Sequence, residues 1–306
     1  AEADESDGTF LLLSPIIAVV TNIDPEHLEH FGDIESVREA YRRFVSRVPF
    51  YGLAVLCIDN VNVRAMLPQV NKRFVTYGTS PDAEWQARDL VVEGLQTTFA
   101  LWRGDVHLGT VRLPMPGRHN ALNALAVFAV AAELGIPWRI TAHALGEFGG
   151  VQRRFEVKGE DQDVLVVDDY GHHPEEIKAT LQAAREAFGR RLVVVFQPHR
   201  FTRTRDLFAE FLGAFDDAAT VVLTDVYPAG EDPIEGATTE ALYQAFKKRG
   251  HVDVHHVPDR ADVAERMLGV LQPGDLMVTL GAGDVHRTAD EVLALLRGGR
   301  HLSQLH

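Results

Sequence analysis

The sequence predicts an α/β protein of two domains, the second built on a doubly wound parallel sheet. Three observations carry that prediction. A chain of 306 residues is longer than one ordinary hydrophobic core accommodates. The apolar segments of its second half are short continuous runs, the pattern of strands buried on both faces. Those runs alternate with helical patterns, as βαβ units do, and right-handed crossovers then place helices on both faces of one sheet.

In chain order, Ile16-Ile17-Ala18-Val19-Val20 opens a buried strand expected over residues 16–23. Asp33 is placed to cap the next helix, in which Val37, Tyr41, Phe44, Val45 and Val48 recur at helical spacing until Pro49 and Gly52. Further strands are expected at 53–58 and 74–77. From 89 to 113, Val, Phe, Leu and Trp alternate around turns at Gly94 and Arg103-Gly104, which predicts antiparallel hairpins. Pro116-Gly117 precedes a long helix over 120–134 that Gly135-Ile136-Pro137 stops. Glu147-Phe148-Gly149-Gly150 reads as a boundary, giving domains 1–148 and 149–306. Beyond it, strands at 164–167, 192–196, 221–223, 252–257 and 276–280 alternate with helices at 175–188, 204–215, 240–248 and 261–271.

Composition narrows the function classes. With 46% hydrophobic and 24% charged residues the chain is of ordinary globular type, neither disordered nor fibrous. No apolar run approaches the roughly 20 residues of a bilayer-spanning helix, so no membrane insertion is expected. The acidic opening Ala1-Glu2-Ala3-Asp4-Glu5-Ser6-Asp7 is unlike the basic start of a signal peptide. The single cysteine, Cys57, excludes an internal disulfide framework and CxxC motifs, in keeping with a cytoplasmic location. A formal net charge of -14 argues against nucleic acid as a partner, because that binding depends on neutralising phosphates. An anionic ligand must instead meet a local basic cluster. The chain also lacks an initiator Met and reaches a strand almost at once, which reads as entry part-way into a longer polypeptide.

In open α/β sheets ligands sit outside the carboxyl ends of the strands. Three polar segments fall there: Asp168-Asp169-Tyr170-Gly171-His172-His173-Pro174, then Gln197-Pro198-His199-Arg200-Phe201-Thr202-Arg203-Thr204-Arg205, then Asp225-Val226-Tyr227-Pro228-Ala229-Gly230-Glu231. Helix capping explains any one of them but not a histidine pair and three arginines together. Guanidinium forks suit carboxylates and phosphates, so the arginines point to an anion. His27, His172, His173 and His199 invite a zinc reading, but no HExxH or cysteine spacing supports it. Thr21-Asn22-Ile23-Asp24-Pro25-Glu26-His27 and Glu2 bring a carboxylate and an imidazole to strand ends, where they could share a divalent cation. In Gly117-Arg118-His119-Asn120-Ala121-Leu122-Asn123, His119 and Asn123 share one helix face; either the segment caps the helix or its amides read a base edge. A P-loop, GxxxxGK[ST], occurs nowhere. Gly281-Ala282-Gly283 is a weak dinucleotide-binding match, because the third glycine position holds His286.

Taken together, Glu2-Ala3-Asp4-Glu5-Ser6-Asp7, Thr21-Asn22-Ile23, Pro49-Phe50-Tyr51-Gly52, His119-Asn120-Ala121-Leu122-Asn123-Ala124, Arg153-Arg154-Phe155, Asp168 to Pro174 and Gln197-Pro198-His199-Arg200 resemble the Mur ligases over essentially the whole chain. These are ATP-dependent amide ligases of peptidoglycan precursor synthesis. The resemblance implies the remainder of a central P-loop-type ATPase domain followed by a Rossmann-like domain, with the UDP-sugar domain and P-loop lying in a missing N-terminal segment. The chain alone is then expected to fold but to form no product. Within the family, Tyr170-Gly171 and Pro49 to Gly52 are similar to the branch that joins L-alanine to UDP-N-acetylmuramate through an acyl phosphate. The alternative is the branch that recycles a tripeptide onto the same sugar. Glu175 departs from the family pattern, where threonine is expected.

The resemblance also implies roles. Glu2 and His27 would bind Mg2+. His119, Asn120 and Asn123 would contact the adenine of ATP, Asp169 would hold the ribose and Tyr170 would line the nucleotide site. Arg154 would reach the phosphates across a domain cleft, and His199, Arg200 and Arg203 would bind the incoming L-alanine or the acyl phosphate near it. A nicotinamide dehydrogenase, or a folded binding piece without catalysis, are the readings from other classes.

Overall fold

The computed structural model describes residues 3, 5–25, 28–250 and 253–299. They divide into two compact units, one of residues 1–92, 96–114 and 118–148, the other of residues 93–95, 115–117 and 149–306.

The first unit is a six-stranded sheet in which spatial order follows chain order: β1 (Ile17–Val20), β2 (Leu53–Cys57), β3 (Phe74–Gly78), β4 (Trp85–Glu93), β5 (Gln96–Arg103) and β6 (Val106–Leu113). β1 to β4 run parallel and β5 pairs antiparallel with β6. Its helices are α1 (Leu28–Phe31), α2 (Ile34–Ser46), α3 (Val61–Met66), α4 (Arg118–Glu133) and α5 (Trp138–Gly146). All five residues of β2 are buried because both faces are covered. Leu53, Val55 and Cys57 face Ala121, Ala124, Leu125 and Phe128 of α4. Ala54 and Leu56 face Val37 and Val45 of α2 and Val63 and Met66 of α3. Each fully buried Leu, Val or Phe there contributes about 1.5–3 kcal/mol. Asp33 caps α2 as its position predicts, accepting from Ser36 N at 2.8 Å.

The second unit is a six-stranded sheet in the order β11-β10-β9-β12-β8-β7. The strands are β7 (Glu156–Asp161), β8 (Val164–Asp169), β9 (Arg191–Phe196), β10 (Thr220–Leu223), β11 (Val254–His256) and β12 (Asp275–Leu280). All are parallel except β7, which runs antiparallel to β8 along the edge. The remaining helices are α6 (Pro174–Phe188), α7 (Phe201–Asp206), α8 (Phe208–Leu212), α9 (Thr239–Arg249), α10 (Arg260–Leu268) and α11 (His286–Arg297). Alternate strand residues feed opposite cores, as a doubly wound sheet requires. Leu165 and Val167 pack with Ile177 and Leu181 of α6, Phe211 of α8 and Phe246 of α9. Val164 and Val166 pack with Met267 of α10 and Val292 and Leu296 of α11. At the amino ends of β9 and β12, Arg191 grips the buried Asp275 with two hydrogen bonds of 2.8 Å. The carboxyl ends are left for other chemistry.

The structure departs from the pattern-based expectation in particular places. The helix expected over 204–215 is two short helices, because Leu207 leaves helical geometry at φ -110, ψ 22. The first strand stops at Val20 and the helix expected to 271 stops at Leu268. β7, α1, α3, α5 and α11 lie outside that expectation. β7 is a polar edge strand with a register shift between Val157 and Gly159, so it carries neither the alternation nor the apolar run that marks a strand.

Candidate functional site

Each unit gathers polar side chains at the carboxyl ends of its parallel strands. In the first, Asp59 follows β2 and reaches over the end of β3. Its carboxylate accepts from Thr79 N at 2.9 Å, Ser80 N at 3.1 Å, Thr79 Oγ1 at 2.8 Å and Arg118 Nη2 at 2.8 Å. Burial works to raise its pKa, but the Thr79 N–H, the Arg118 guanidinium and the other donors outweigh it and hold the carboxyl below its ordinary value. A Cβ at Gly78 would stand 2.2 Å from Asp59 Oδ1, so this close approach requires glycine. Arg118 is the first residue of α4, and the Asp59 contact therefore fixes that helix's opening turn. His119 and Asn123 are exposed on it and Asn120 is half-buried. The loop after β1 is held as well: Asn62 Nδ2 donates to Ile23 O at 2.7 Å and Asn60 Nδ2 to Asp24 Oδ1 at 3.3 Å. Glu2 and His27, expected to bind Mg2+, lie outside the described residues.

In the second unit the ends of β8, β9, β10 and β12 converge. Asp168 and Asp169 are both buried. Asp168 accepts from Thr279 Oγ1 at 2.6 Å and from Arg153 Nε at 3.2 Å. Asp169 accepts from Gly171 N at 2.7 Å and Phe155 N at 2.8 Å. Burial pushes its carboxyl above the usual range, against those two N–H bonds. With these two bonds Asp169, expected at a ribose, also shapes the Tyr170-Gly171 turn. The Arg153-Arg154 pair also separates. Arg153 is 23% exposed and ties Asp168 to the Gly281 carbonyl at 2.5 Å, whereas Arg154 is 56% exposed and leans toward Glu176 at 3.7 Å.

A row of rings crosses these strand ends. Tyr170 meets His172 at 5.3 Å, His172 meets His199 at 5.7 Å, and His199 stacks on Tyr227 at 5.6 Å with 7° between planes. His172 Nδ1 lies 3.1 Å from the Tyr170 carbonyl, which can only accept, so Nδ1 carries the proton and Nε2 keeps a lone pair. His199 is the opposite tautomer: Arg203 Nη1 donates toward its Nδ1 at 3.4 Å, leaving the proton on Nε2. Burial and the Arg203 charge hold His172 below its usual value. Burial, with His172, Arg203 and Arg200 adding to it, takes His199 down to about 4. Both imidazoles are neutral at pH 7, in reach of a fork of arginine.

The structure brings His199, Arg203 and Tyr170 into this one cluster, with Arg200 exposed at its rim. It also gives roles to residues that the motifs contain but do not explain. Gln197 donates to Asp284 at 3.0 Å and accepts from Val285 N at 3.1 Å, pinning the loop after β12. That loop is Gly281-Ala282-Gly283. A Cβ at Gly283 would lie 2.4 Å from Gln197 Oε1 and 2.7 Å from the Tyr227 ring. The glycines are thus explained by close packing against Gln197 and Tyr227. Among the described residues no helix is long and apolar enough to cross a membrane.

A UDP-N-acetylmuramate–L-alanine ligase of Myxococcus xanthus is 54% identical over 296 residues, which are 97% of this chain and 63% of that protein. One of Anaeromyxobacter dehalogenans is 57% identical over 96% of this chain and 64% of its own length. The chain therefore spans less than two thirds of these relatives. The crystal structure of a UDP-N-acetylmuramate-alanine ligase from Thermotoga maritima superimposes with a TM-score of 0.76 at 26% identity, over 96% of this chain and 63% of that one. The Mur ligase middle domain matches residues 2–131 and the Mur ligase glutamate ligase domain matches residues 153–283; the chain belongs to the Mur ligase family.

Proposed function

We propose that this chain supplies the nucleotide-reading and amino-acid-binding parts of a cytoplasmic enzyme that joins L-alanine to the carboxylate of UDP-N-acetylmuramate at the expense of ATP. The observation that carries the proposal is 54–57% identity, over 96–97% of the chain, to relatives of that name. Residues 1–148 form the partial ATP-binding domain and residues 149–306 the amino-acid-binding domain. In the first, the exposed Asn123 and His119 beside Asn120 offer paired donors and acceptors to adenine on a helix start that the Asp59–Arg118 contact holds still. Mg2+ at Glu2 and His27 would screen the charge that builds when two anions meet.

The chemistry asks for two bond exchanges. A carboxylate oxygen attacks the γ-phosphorus and ADP leaves; the amine nitrogen then attacks the acyl carbon and phosphate leaves. The amine reaches the site as an ammonium and must shed a proton first. His172, neutral and with its Nε2 lone pair uncommitted to the Tyr170 carbonyl, is suited to take it. Arg200 and Arg203 suit the alanine carboxylate, and Arg154 and Tyr170 the phosphate side. Alanine's methyl contributes only about 1 kcal/mol, so recognition rests on its charged ends.

The test uses a polypeptide of the relatives' full length that contains this chain, given ATP, UDP-N-acetylmuramate and L-alanine. ADP and phosphate should appear in step with an L-alanyl product. Turnover with a tripeptide and none with L-alanine would assign the chain to the recycling branch instead.

A further inference from the structure

We propose that the loop Tyr227-Pro228-Ala229-Gly230-Glu231 is the element that sets the arginine clamp, with Glu231 and Tyr227 as positioning residues for Arg200, Arg203 and His199. The inference rests on the amino-acid-binding reading above. It begins from an anomaly at the start of α7. The residue in the N-cap position is Arg200, whose side chain makes no capping bond. Helix starts ordinarily place Ser, Thr, Asp or Asn there, because the first turn's N–H groups have no partner within the helix.

The missing cap comes from another loop. Glu231 accepts from Thr202 N at 3.0 Å and from Thr202 Oγ1 at 2.7 Å, binding the first turn of α7 with both carboxylate oxygens. Those bonds, with the Phe201 N–H and the Arg200 charge, overcome burial and keep the carboxyl below its usual range. The N-cap position is thereby released from capping and can hold an arginine whose head faces solvent.

Arg200 also sits at φ 71, a left-handed conformation that a side chain this bulky keeps only where its surroundings enforce it. The enforcement comes from the same loop. Arg200 N donates to Tyr227 O at 2.9 Å and Tyr227 N donates to Pro198 O at 2.8 Å, so His199 and Tyr227 form a parallel bridge beyond the ends of β9 and β10. The Tyr227 ring then stacks on His199, and the bare Gly283 gives that ring its room. One loop therefore fixes the backbone of Arg200, the ring of His199 and the first turn that carries Arg203. None of these contacts needs Glu231 to touch a substrate.

The experiment measures steady-state constants for Glu231→Ala, Glu231→Gln, Thr202→Val and Arg203→Ala in the full-length polypeptide. Glu231→Ala should raise the KM for L-alanine by roughly 10- to 100-fold, the size of effect a displaced binding group produces, and leave the KM for ATP unchanged. Glu231→Gln should recover most of the loss, because its amide can accept from Thr202 N and donate to Thr202 Oγ1. Thr202→Val, which deletes one bond of the two, should fall between. The proposal is overturned if Glu231→Ala keeps the wild-type alanine KM while Arg203→Ala raises it. It is overturned equally if Glu231→Gln is as impaired as Glu231→Ala, since charge rather than capping would then be at work. An Arg203→Ala variant with unchanged alanine KM would remove the clamp itself, and with it both readings.

Discussion

The two units present their candidate residues differently. In the first, His119, Asn120 and Asn123 stand on the first two turns of a regular helix, which Asp59 holds from one step behind them. In the second, His172 and His199 stand in loops beside Arg203 of the short helix α7, and the two imidazoles are kept neutral by burial and by neighbouring charges. A helix-borne site is a fixed surface that can read hydrogen-bonding edges. A loop-borne site of neutral imidazoles beside guanidinium groups is tuned for charge and proton transfer, and depends on the contacts that hold its loops.

That contrast should appear first in stability. Asp169→Ala removes the acceptor of two N–H groups in a buried turn, and should cost about 3 kcal/mol in denaturant unfolding of this chain. Asp59→Ala removes more bonds, but Asp59 is 10% exposed at its side chain and water can re-enter, so about 1–2 kcal/mol is expected. Equal losses would erase the distinction between the two sites. Gly283→Ala should cost about 1–3 kcal/mol, by forcing Tyr227 and Gln197 apart, and should weaken L-alanine use before ATP binding. An unaltered alanine KM would show that the loop after β12 tolerates the shift without disturbing His199.

The pH dependence sharpens the same comparison. His199 titrates at about 4 in the folded state, below the 6.5 of an unperturbed imidazole. Between those values the unfolded chain takes up a proton that the folded chain excludes. Stability from this group is therefore full above about pH 6.5 and lost as the pH falls toward 4. His199→Asn should flatten that limb of the stability profile; an identical acid limb in the variant would contradict the assigned neutral state. The smallest effect is expected at the helix-borne site. Asn123→Ala lies on an exposed face and should change stability by less than about 0.5 kcal/mol, while narrowing the preference for ATP over GTP. A large stability loss would return Asn123 to a structural role.

Much of this was legible in the residues. Asp33 announced its helix, the valine runs of β8 and β9 announced strands buried on both faces, and the strand-end rule selected the segments that do converge. The sequence could not show which carboxylate of Asp168-Asp169 holds which turn, or that Arg153 is spent on Asp168 while Arg154 stays exposed, because adjacent residues diverge only once the backbone is placed. Nor could it show Glu231 capping Thr202 from 29 residues away. Capping rules look for a local partner, and here the partner arrives through the sheet. The Gly281-Ala282-Gly283 loop, only a weak dinucleotide-binding match in the sequence, is explained by the ring and amide it packs against.

A division of labour follows from the proposed function: the strand-end cluster of His199 and Arg203 binds the amino acid while the helix-borne cluster reads the nucleotide. Its most direct test compares Arg203→Lys with Asn123→Ala in the full-length polypeptide, measuring KM for L-alanine and for ATP in both. Lysine keeps the charge but not the fork, so Arg203→Lys should raise the alanine KM alone, and Asn123→Ala the ATP KM alone. If Arg203→Lys raised the ATP KM and left alanine untouched, the cluster would belong to the phosphates and the account of the second unit would be wrong.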